Sequence, residues 1–488
     1  MKTSLLYKWS LLGLLLTSLS CGPIDDPTIL QPQFPLTNQY GNEVYLEWNE
    51  LYKELDKNAS GYRPGPATRA LAYLGLSAYE SVVAGMPFHQ SLAPLYQGLD
   101  IPEANRSLEY YWPACVSESY AFLLAKLFPH LENSPNAEVA AAFDKIGVLR
   151  NHFHSQFVET GLDTTVLHRS EMFGRAVAFA VFEWSKTDMD GHNTFLNPQP
   201  TSYIPNADPG NWQPTPPDFE RAMHPSYGGV RTFAINEGET LVSPPMQYSE
   251  SPNAPFYTSA LEVWATVNLI KDPPPGSENW AYNQKWMGEF WSDDNLYVTF
   301  STGTRWISIA NQMAELEASN LATCAELYAK LGLALSDVAV ATWLAKYTYN
   351  VERPISYIRR IISIQNPTAE KWTTMLNDPA TGLEGISPSY PSYPSAHASL
   401  GGGASIILSS FFENTPGYGD NYVFTDRSHE IETNFLGTPR VFSSISELAE
   451  ECAYSRIPLG VNYRMDCENG LALGRKVARR VQELPWKK

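Results

Sequence analysis

The stretch AELYAKLGLALSDVAVATWLAKYTYN, within residues 322–350, is apolar nearly all the way round its middle. A surface helix shows one apolar stripe, whereas a helix with no polar face has to be enclosed by other elements. This segment therefore predicts the spine of a large helical fold, and it requires neighbours that cover every side of it. The rest of the chain supplies them. Between Pro66 and Gly85, ATRALAYLGLSAYESVVAG places Ala, Leu and Tyr at three- and four-residue spacings, the pattern of an amphipathic helix. Similar patterns cover roughly 105–130, 136–160, 168–187, 279–290, 304–319, 396–412, 443–456 and 465–483. Period-two alternation is nowhere long enough for a substantial sheet. The expected fold class is all-α, with two helical bundles.

Prolines set the boundary between the bundles. Phrases such as PQPTSYIPNADPGNWQPTPPDFE crowd residues 190–255, and proline in a helix interior removes a hydrogen bond and clashes with the preceding turn. The expected organisation is an N-terminal bundle over 46–190, a proline-rich crossover over 191–277 and a C-terminal bundle over 278–488. The crossover is either an ordered connection or a linker, and its many aromatics favour order. Ahead of it, MKTSLLYKWSLLGLLLTSLSCG has a basic start, a short apolar run and small residues before Cys21. This is the layout of an export signal, and a cysteine in that place is similar to the lipidated residue of bacterial lipoproteins. Residues 1–21 are thus expected to be a signal and 22–45 a tether. The chain would be exported and lipid-anchored to a bacterial envelope, at the outer membrane or cell surface, a placement to which Asp25 and Asp26 also point. Export would expose Cys115, Cys324, Cys452 and Cys467 to oxidising conditions, where three pairings, or free buried thiols, remain open.

With 43% hydrophobic and 18% charged residues the chain can bury large cores. A net charge of −18 excludes nucleic acid and anionic lipid surfaces as partners, because both require dense Lys and Arg. Any anion site must be a local exception, and three segments combine to form a candidate. Lys346 and Arg353 stand seven residues apart, which places both on one helical face, and Pro354 should end that helix. In PSYPSYPSAHASLGGGA, Ser395 is placed to cap a helix whose first N–H groups, on Ala396, His397 and Ala398, form an anion-binding terminus. In YSRIPLGVNYRMD, Arg456 closes one helix, Pro458 and Gly460 break the chain, and Asp466 follows Asn462 by four residues on the next. Taken singly these are ordinary: helix-end cations are usually solvated, and a serine before small residues is usually only a cap. Together they supply two guanidiniums, an ammonium, a hydroxyl, helix-terminal amides and an imidazole. Each charge-assisted hydrogen bond contributes roughly 1.5 to 3 kcal/mol, so the set suits a tetrahedral or trigonal-bipyramidal oxyanion.

The order and spacing of these segments resemble the superfamily of type 2 phosphatidic acid phosphatases, bacterial acid phosphatases and vanadium-dependent haloperoxidases. KYTYNVERP matches Lys, six residues, Arg-Pro; PSAH is close to Pro-Ser-Gly-His; SRIPLGVNYRMD matches Ser-Arg, five residues, His, three residues, Asp, except at the His. NWQPTPPDFERAMHPSYGGVRTF, EFWSDD and AKYTYNVERPISYIRR are similar to the bacterial haloperoxidase branch, and the likeness extends over nearly all of the chain behind Cys21. The resemblance implies that Lys346, Arg353 and Arg456 neutralise the oxyanion, that Ser395 and the amide of Ala396 donate to it, and that His397 is the acid/base. Tyr390 would stand on the halide side. Vanadate would be the cofactor, held without a further metal, with phosphate as its analogue or as the substrate's reacting group.

Asn462 occupies the position of the second histidine, which in the family bonds vanadium or attacks phosphorus and which Asp466 would orient. A carboxamide nitrogen has no basic lone pair and does neither, although its NH2 can donate to Asp466 or to an anion. Three readings follow: a haloperoxidase-like enzyme acting on halide or a small molecule, a phosphomonoesterase, or a silent oxyanion-binding or scaffold lipoprotein. Among the other histidines, His429 in TDRSHEIETNF reaches the pocket only if that loop folds over it. His152 and His154 face different directions on their helix, and surface or core roles are expected for these and for His89, His130, His168, His192 and His224.

Overall fold

The computed structural model describes residues 34–293, 295–413 and 422–488, so Cys21 and the proposed signal lie outside the described residues. The spine is α9 (Leu321–Tyr349), 29 residues long, whose N-cap Asn320 accepts a hydrogen bond from the Thr323 N–H and whose end is set by Asn350 in a left-handed conformation, φ 49°. The middle of this helix is enclosed on all sides, as an all-apolar surface requires. On one flank lies α2 (Gly65–Val82); on the other lie α10 (Ala396–Phe412) and α12 (Arg464–Gln482). Among the described residues α9 is the one helix long and apolar enough to cross a membrane, and it is buried inside the protein.

The first bundle comprises α1 (Glu43–Asn58), α2, α3 (Trp112–Leu127), α4 (Ala137–Glu159) and α5 (Thr164–Ser185). The second comprises α6 (Pro255–Lys271), α7 (Glu278–Phe290), α8 (Thr302–Leu316), α10, α11 (Ile445–Tyr454) and α12. Both share α9, and Pro35–Lys488 packs as one unit. Strand structure among the described residues is confined to two short antiparallel pairs, β1 (Asn377–Asp378) with β2 (Leu383–Glu384) and β3 (Phe424–Asp426) with β4 (Arg440–Phe442).

Two boundaries read from the sequence need correction. The tether expected to reach residue 45 is packed from Pro35 on: Thr37 is fully buried with its hydroxyl donating to the Val82 carbonyl at 3.0 Å, and α1 begins at Glu43. The crossover expected over 191–277 contains α6, which starts on Pro255, a position where proline's missing N–H costs nothing. The rest of the crossover is ordered by buried hydrogen bonds. Asp337 on α9 accepts the N–H groups of Phe233, Ala234 and Ile235, and the Trp212 N–H donates to the Asn350 carbonyl at 2.7 Å.

The contact of α10 with α12 positions the site. A side chain at Gly402 would collide with the Leu471 carbonyl and one at Gly474 with that of Ser399. The small-residue run SLGGGA therefore lets the two backbones nearly touch, and the Ser395 N–H donates to the Asp466 carbonyl at 3.0 Å. All four described cysteines, Cys115, Cys324, Cys452 and Cys467, are free and buried.

Candidate oxyanion site

Lys346 and Arg353 do not share a helical face. The α9 helix stops at Tyr349, and Arg353 is the N-cap of the next helical segment, Pro354–Tyr357. The reversal at Asn350 still brings them together: the Tyr390 ring lies 4.9 Å from Lys346 Nζ and 4.9 Å from Arg353 Cζ, a face on which two cations are held by the ring quadrupole.

Lys346 is fully buried, and its ammonium donates to the carbonyls of Pro391 at 2.8 Å, Ser392 at 3.1 Å and Pro394 at 2.6 Å. Three acceptors need three protons, so the side chain is charged in this arrangement, although burial, then Arg353, push its pKa well down. Lys346 thus braces the loop that leads into α10 and contributes charge to the pocket. Arg353 donates through Nε to the Tyr390 carbonyl and through Nη1 to that of Val461, both at 2.8 Å. Its Nη2 is buried without a hydrogen-bond partner. Burial lowers the guanidinium's pKa to about 10, so it remains charged at neutral pH. Arg456, just beyond α11, donates through Nη1 to the Trp291 carbonyl at 3.2 Å.

Ser395 caps α10, its Oγ accepting from the Ala398 N–H at 3.4 Å. The N–H groups of Ala396 and His397 remain at the open helix terminus. His397 is 4% exposed, with Nε2 3.1 Å from Thr302 Oγ1. Burial first, then Arg456, Lys346, Arg353 and Arg305, hold its pKa well below the usual range. The imidazole is therefore neutral at pH 7 in a field of four cations.

Asn462 precedes α12 and is buried. Its Nδ2 donates to the Ser392 carbonyl at 3.0 Å and to Asp466 Oδ2 at 3.0 Å, with Ser392 Oγ at 3.3 Å. Asp466 Oδ2 also accepts from Ser392 Oγ at 2.6 Å and from the Tyr463 N–H at 2.9 Å, while Oδ1 is buried without a partner. Burial raises the Asp466 pKa, against these donors and Lys346. The carboxamide thus takes one nitrogen's place in the link to Asp466 and offers no basic atom to a ligand. Ser392, which carries this link, is one of several site residues with no motif signal of its own.

Tyr390, His397 and Arg456 line a cavity of about 450 Å³. Its other walls come from the loop after α1, including Arg63, from the proline-rich crossover, from Asp293 and from the β1–β2 hairpin. Arg63 and Asp293 were missed from sequence because they belong to segments remote from the three motifs. Asp293 does stand in EFWSDD, where two acids follow an aromatic pair. His429 is buried with Nε2 2.9 Å from Asp293 Oδ1, so its loop packs behind the Asp293 wall of this cavity, and His429 itself lines a separate one.

The fold is all-α, and it gathers buried cations between a lysine–arginine segment, a capped helix and an arginine–aspartate segment. Residues 326–485 match the family described as the VCPO second helical-bundle domain. The chain is 24% identical over 523 residues to the vanadium chloroperoxidase of Curvularia inaequalis, covering 92% of this chain and 82% of that one. Among solved structures, a bacterial vanadium-dependent iodoperoxidase superposes with a TM-score of 0.75 at 26% identity, over 92% of this chain and 97% of the other. A bacterial vanadium-dependent chloroperoxidase shares the fold, with a TM-score of 0.59 at 16% identity over 88% and 95%. The chain is haloperoxidase-like: it has the fold and the second helical-bundle domain of the vanadium haloperoxidases.

Proposed function

We propose that the pocket binds vanadate or phosphate by charge and hydrogen bonds alone, with no bond from residue 462 to the central atom. The observation that carries this reading is the Asn462 amide, held to Asp466 and the Ser392 carbonyl, together with a buried Arg353 Nη2 that has no hydrogen-bond partner among the described residues. The donor set fits an oxyanion: Arg353, Arg456, Ser395 and the Ala396 N–H would hold it, and Lys346 would add charge from behind the loop. It does not fit a nitrogen–vanadium bond. Vanadate, when bound, would supply activation of peroxide toward halide or an organic nucleophile. His397 would then move a proton at Nε2, because a bound anion offsets the cations that keep the ring neutral. Phosphatase chemistry through a phosphohistidine is disfavoured, since Asn462 is no nucleophile.

The test is titration calorimetry with vanadate and with phosphate, alongside peroxide-dependent bromide oxidation. Replacing Arg353 or Arg456 by Ala should weaken binding by roughly one to two powers of ten. Unchanged affinity in both variants would remove the shared site. Binding with no oxidation and no phosphatase turnover would favour the silent oxyanion-binding reading. We also propose that the protein is exported and anchored through lipid on Cys21, on the strength of the apolar run before that residue.

A further inference from the structure

We propose that Asp293 and His429 form a proton route between the oxyanion cavity and a second cavity on the other side of the Asp293 wall, so that a proton reaches the pocket while an anion fills its mouth. This rests on the oxyanion reading of the first cavity. The second cavity, about 730 Å³, is formed by α1, α4, residues 298–300 and the loop after β3, and it is lined by His429, Phe300, Lys53 and Val148 among others. Asp293 lines the first cavity and His429 the second, and 2.9 Å separates Asp293 Oδ1 from His429 Nε2. Phe300 stacks on the imidazole at 4.8 Å between centroids and Phe435 meets it edge-on at 5.2 Å, which fixes the ring plane.

A purely structural ion pair explains this arrangement less well. Arg305 is fully buried, but Asp426 already neutralises it, with contacts of 3.1 Å to Nε and 2.8 Å to Nη2. Asp293 lies 3.5 Å from Nη1, at the limit of hydrogen bonding, and its Oδ2 is buried without a hydrogen-bond partner among the described residues. The charged groups facing Asp293 are Arg305, Asp426, Arg456 and Arg63; those facing His429 are Arg305, Asp426, Glu432 and Lys53. Burial, opposed by Arg305, raises Asp293 to about 7, so near neutrality the carboxyl is poised between its two states. An anion arriving beside an ionised Asp293 would be repelled, and protonation of the carboxylate removes that repulsion. In the proposed transfer, His429 Nδ1 takes a proton from water in the second cavity as Nε2 gives its own to Asp293 Oδ1. The imidazole ends neutral with its proton on Nδ1, and Asp293 ends as the acid.

The probe is sulfate, a tetrahedral oxyanion that does not titrate near neutrality. Stopped-flow mixing of the full-length protein with sulfate at pH 7, in weak buffer with an indicator dye, reads the rate and amount of proton uptake. Native protein should take up protons on binding, and Asp293→Asn should lose that share. His429→Gln keeps a donor to Asp293 but cannot relay, so it should bind sulfate with native affinity and take up protons about 10²-fold more slowly, the scale of a lost acid–base group. Val148→Trp, at a position 66% exposed, should slow uptake by crowding the second cavity without threatening the fold. Sulfate binding with no proton uptake, an Asp293→Asn variant that takes up as many protons as the native protein, or native rates in both His429→Gln and Val148→Trp would overturn the route. Absence of sulfate binding would instead overturn the oxyanion reading, and the route with it.

Discussion

Introducing a histidine by Asn462→His tests the site at the position where the resemblance calls for a ligand nitrogen. The carboxamide nitrogen now lies 3.0 Å from Asp466 Oδ2 and 3.0 Å from the Ser392 carbonyl. The single Nδ1–H of an imidazole at this position can keep the bond to Asp466 Oδ2, while the Ser392 carbonyl still accepts from Lys346; Nε2 would then be without a proton and available as a ligand. A new bond of at least charge-assisted strength contributes about 1.5–3 kcal/mol, equivalent to roughly a tenfold to hundredfold gain in vanadate affinity. The ring is larger than the amide and the position is 4% exposed, so overpacking should cost about 1–3 kcal/mol of stability. Calorimetry with vanadate reads the gain, thermal melting reads the cost, and bromide oxidation with peroxide reads whether turnover follows. A variant that is folded, yet binds vanadate no more tightly than the native protein, would refute the view that residue 462 is the missing anchor. Native turnover that the variant does not exceed would show that an anchor is dispensable.

Stability should fall as pH rises from 7 to 8.5. Burial holds Asp293, Asp337, Glu80 and Glu352 up to about 7, so in this window the native state gives up protons that the unfolded chain has already lost. Each group then removes about 0.4 kcal/mol. The buried histidines with lowered values, such as His130 and His224 at about 4, oppose this by about 0.2 kcal/mol each, because the unfolded imidazole is mostly deprotonated above pH 7; a melting temperature that is flat or rising over the window would contradict the assignment. Lys346→Met should lower stability by about 2–4 kcal/mol, because it strands the buried carbonyls of Pro391 and Pro394, while that of Ser392 keeps its bond from Asn462, and a melting curve matching the native one would show that the loop needs no brace. Cys21→Ala should move the protein out of the membrane fraction, lipid being the proposed anchor; unchanged fractionation removes the lipoprotein proposal.

Much of the helical framework was legible locally, since periodicity and the apolar character of α9 are properties of adjacent residues. Two helices were not. The α1 helix stood next to a segment read as tether, and α6 begins on Pro255 within a proline-rich region, where proline at a helix start looks the same as proline in a loop until the partner surface is known. The site divides in the same way. Its residue types and the substitution at Asn462 are covalent facts, and a carboxamide without a basic nitrogen is a chemical limit that no packing can relax. The common face assigned to Lys346 and Arg353 depended on a continuous helix, and the left-handed turn at Asn350 replaced it with a different route to the same Tyr390 ring.

By itself the sequence determined an all-α chain built round one fully enclosed helix, a set of cations and donors in an acidic protein, and a carboxamide at residue 462. Only the tertiary structure decided that Lys346 turns its three protons to loop carbonyls, that Asn462 is held by Ser392 and Asp466, and that Asp293 and His429 meet at the cavity wall. The reason is physical: residue type and local periodicity are carried by neighbours in the chain. Burial, hydrogen-bond partners and shifted protonation are set instead by groups that may lie more than a hundred residues away, as His429 does from Asp293.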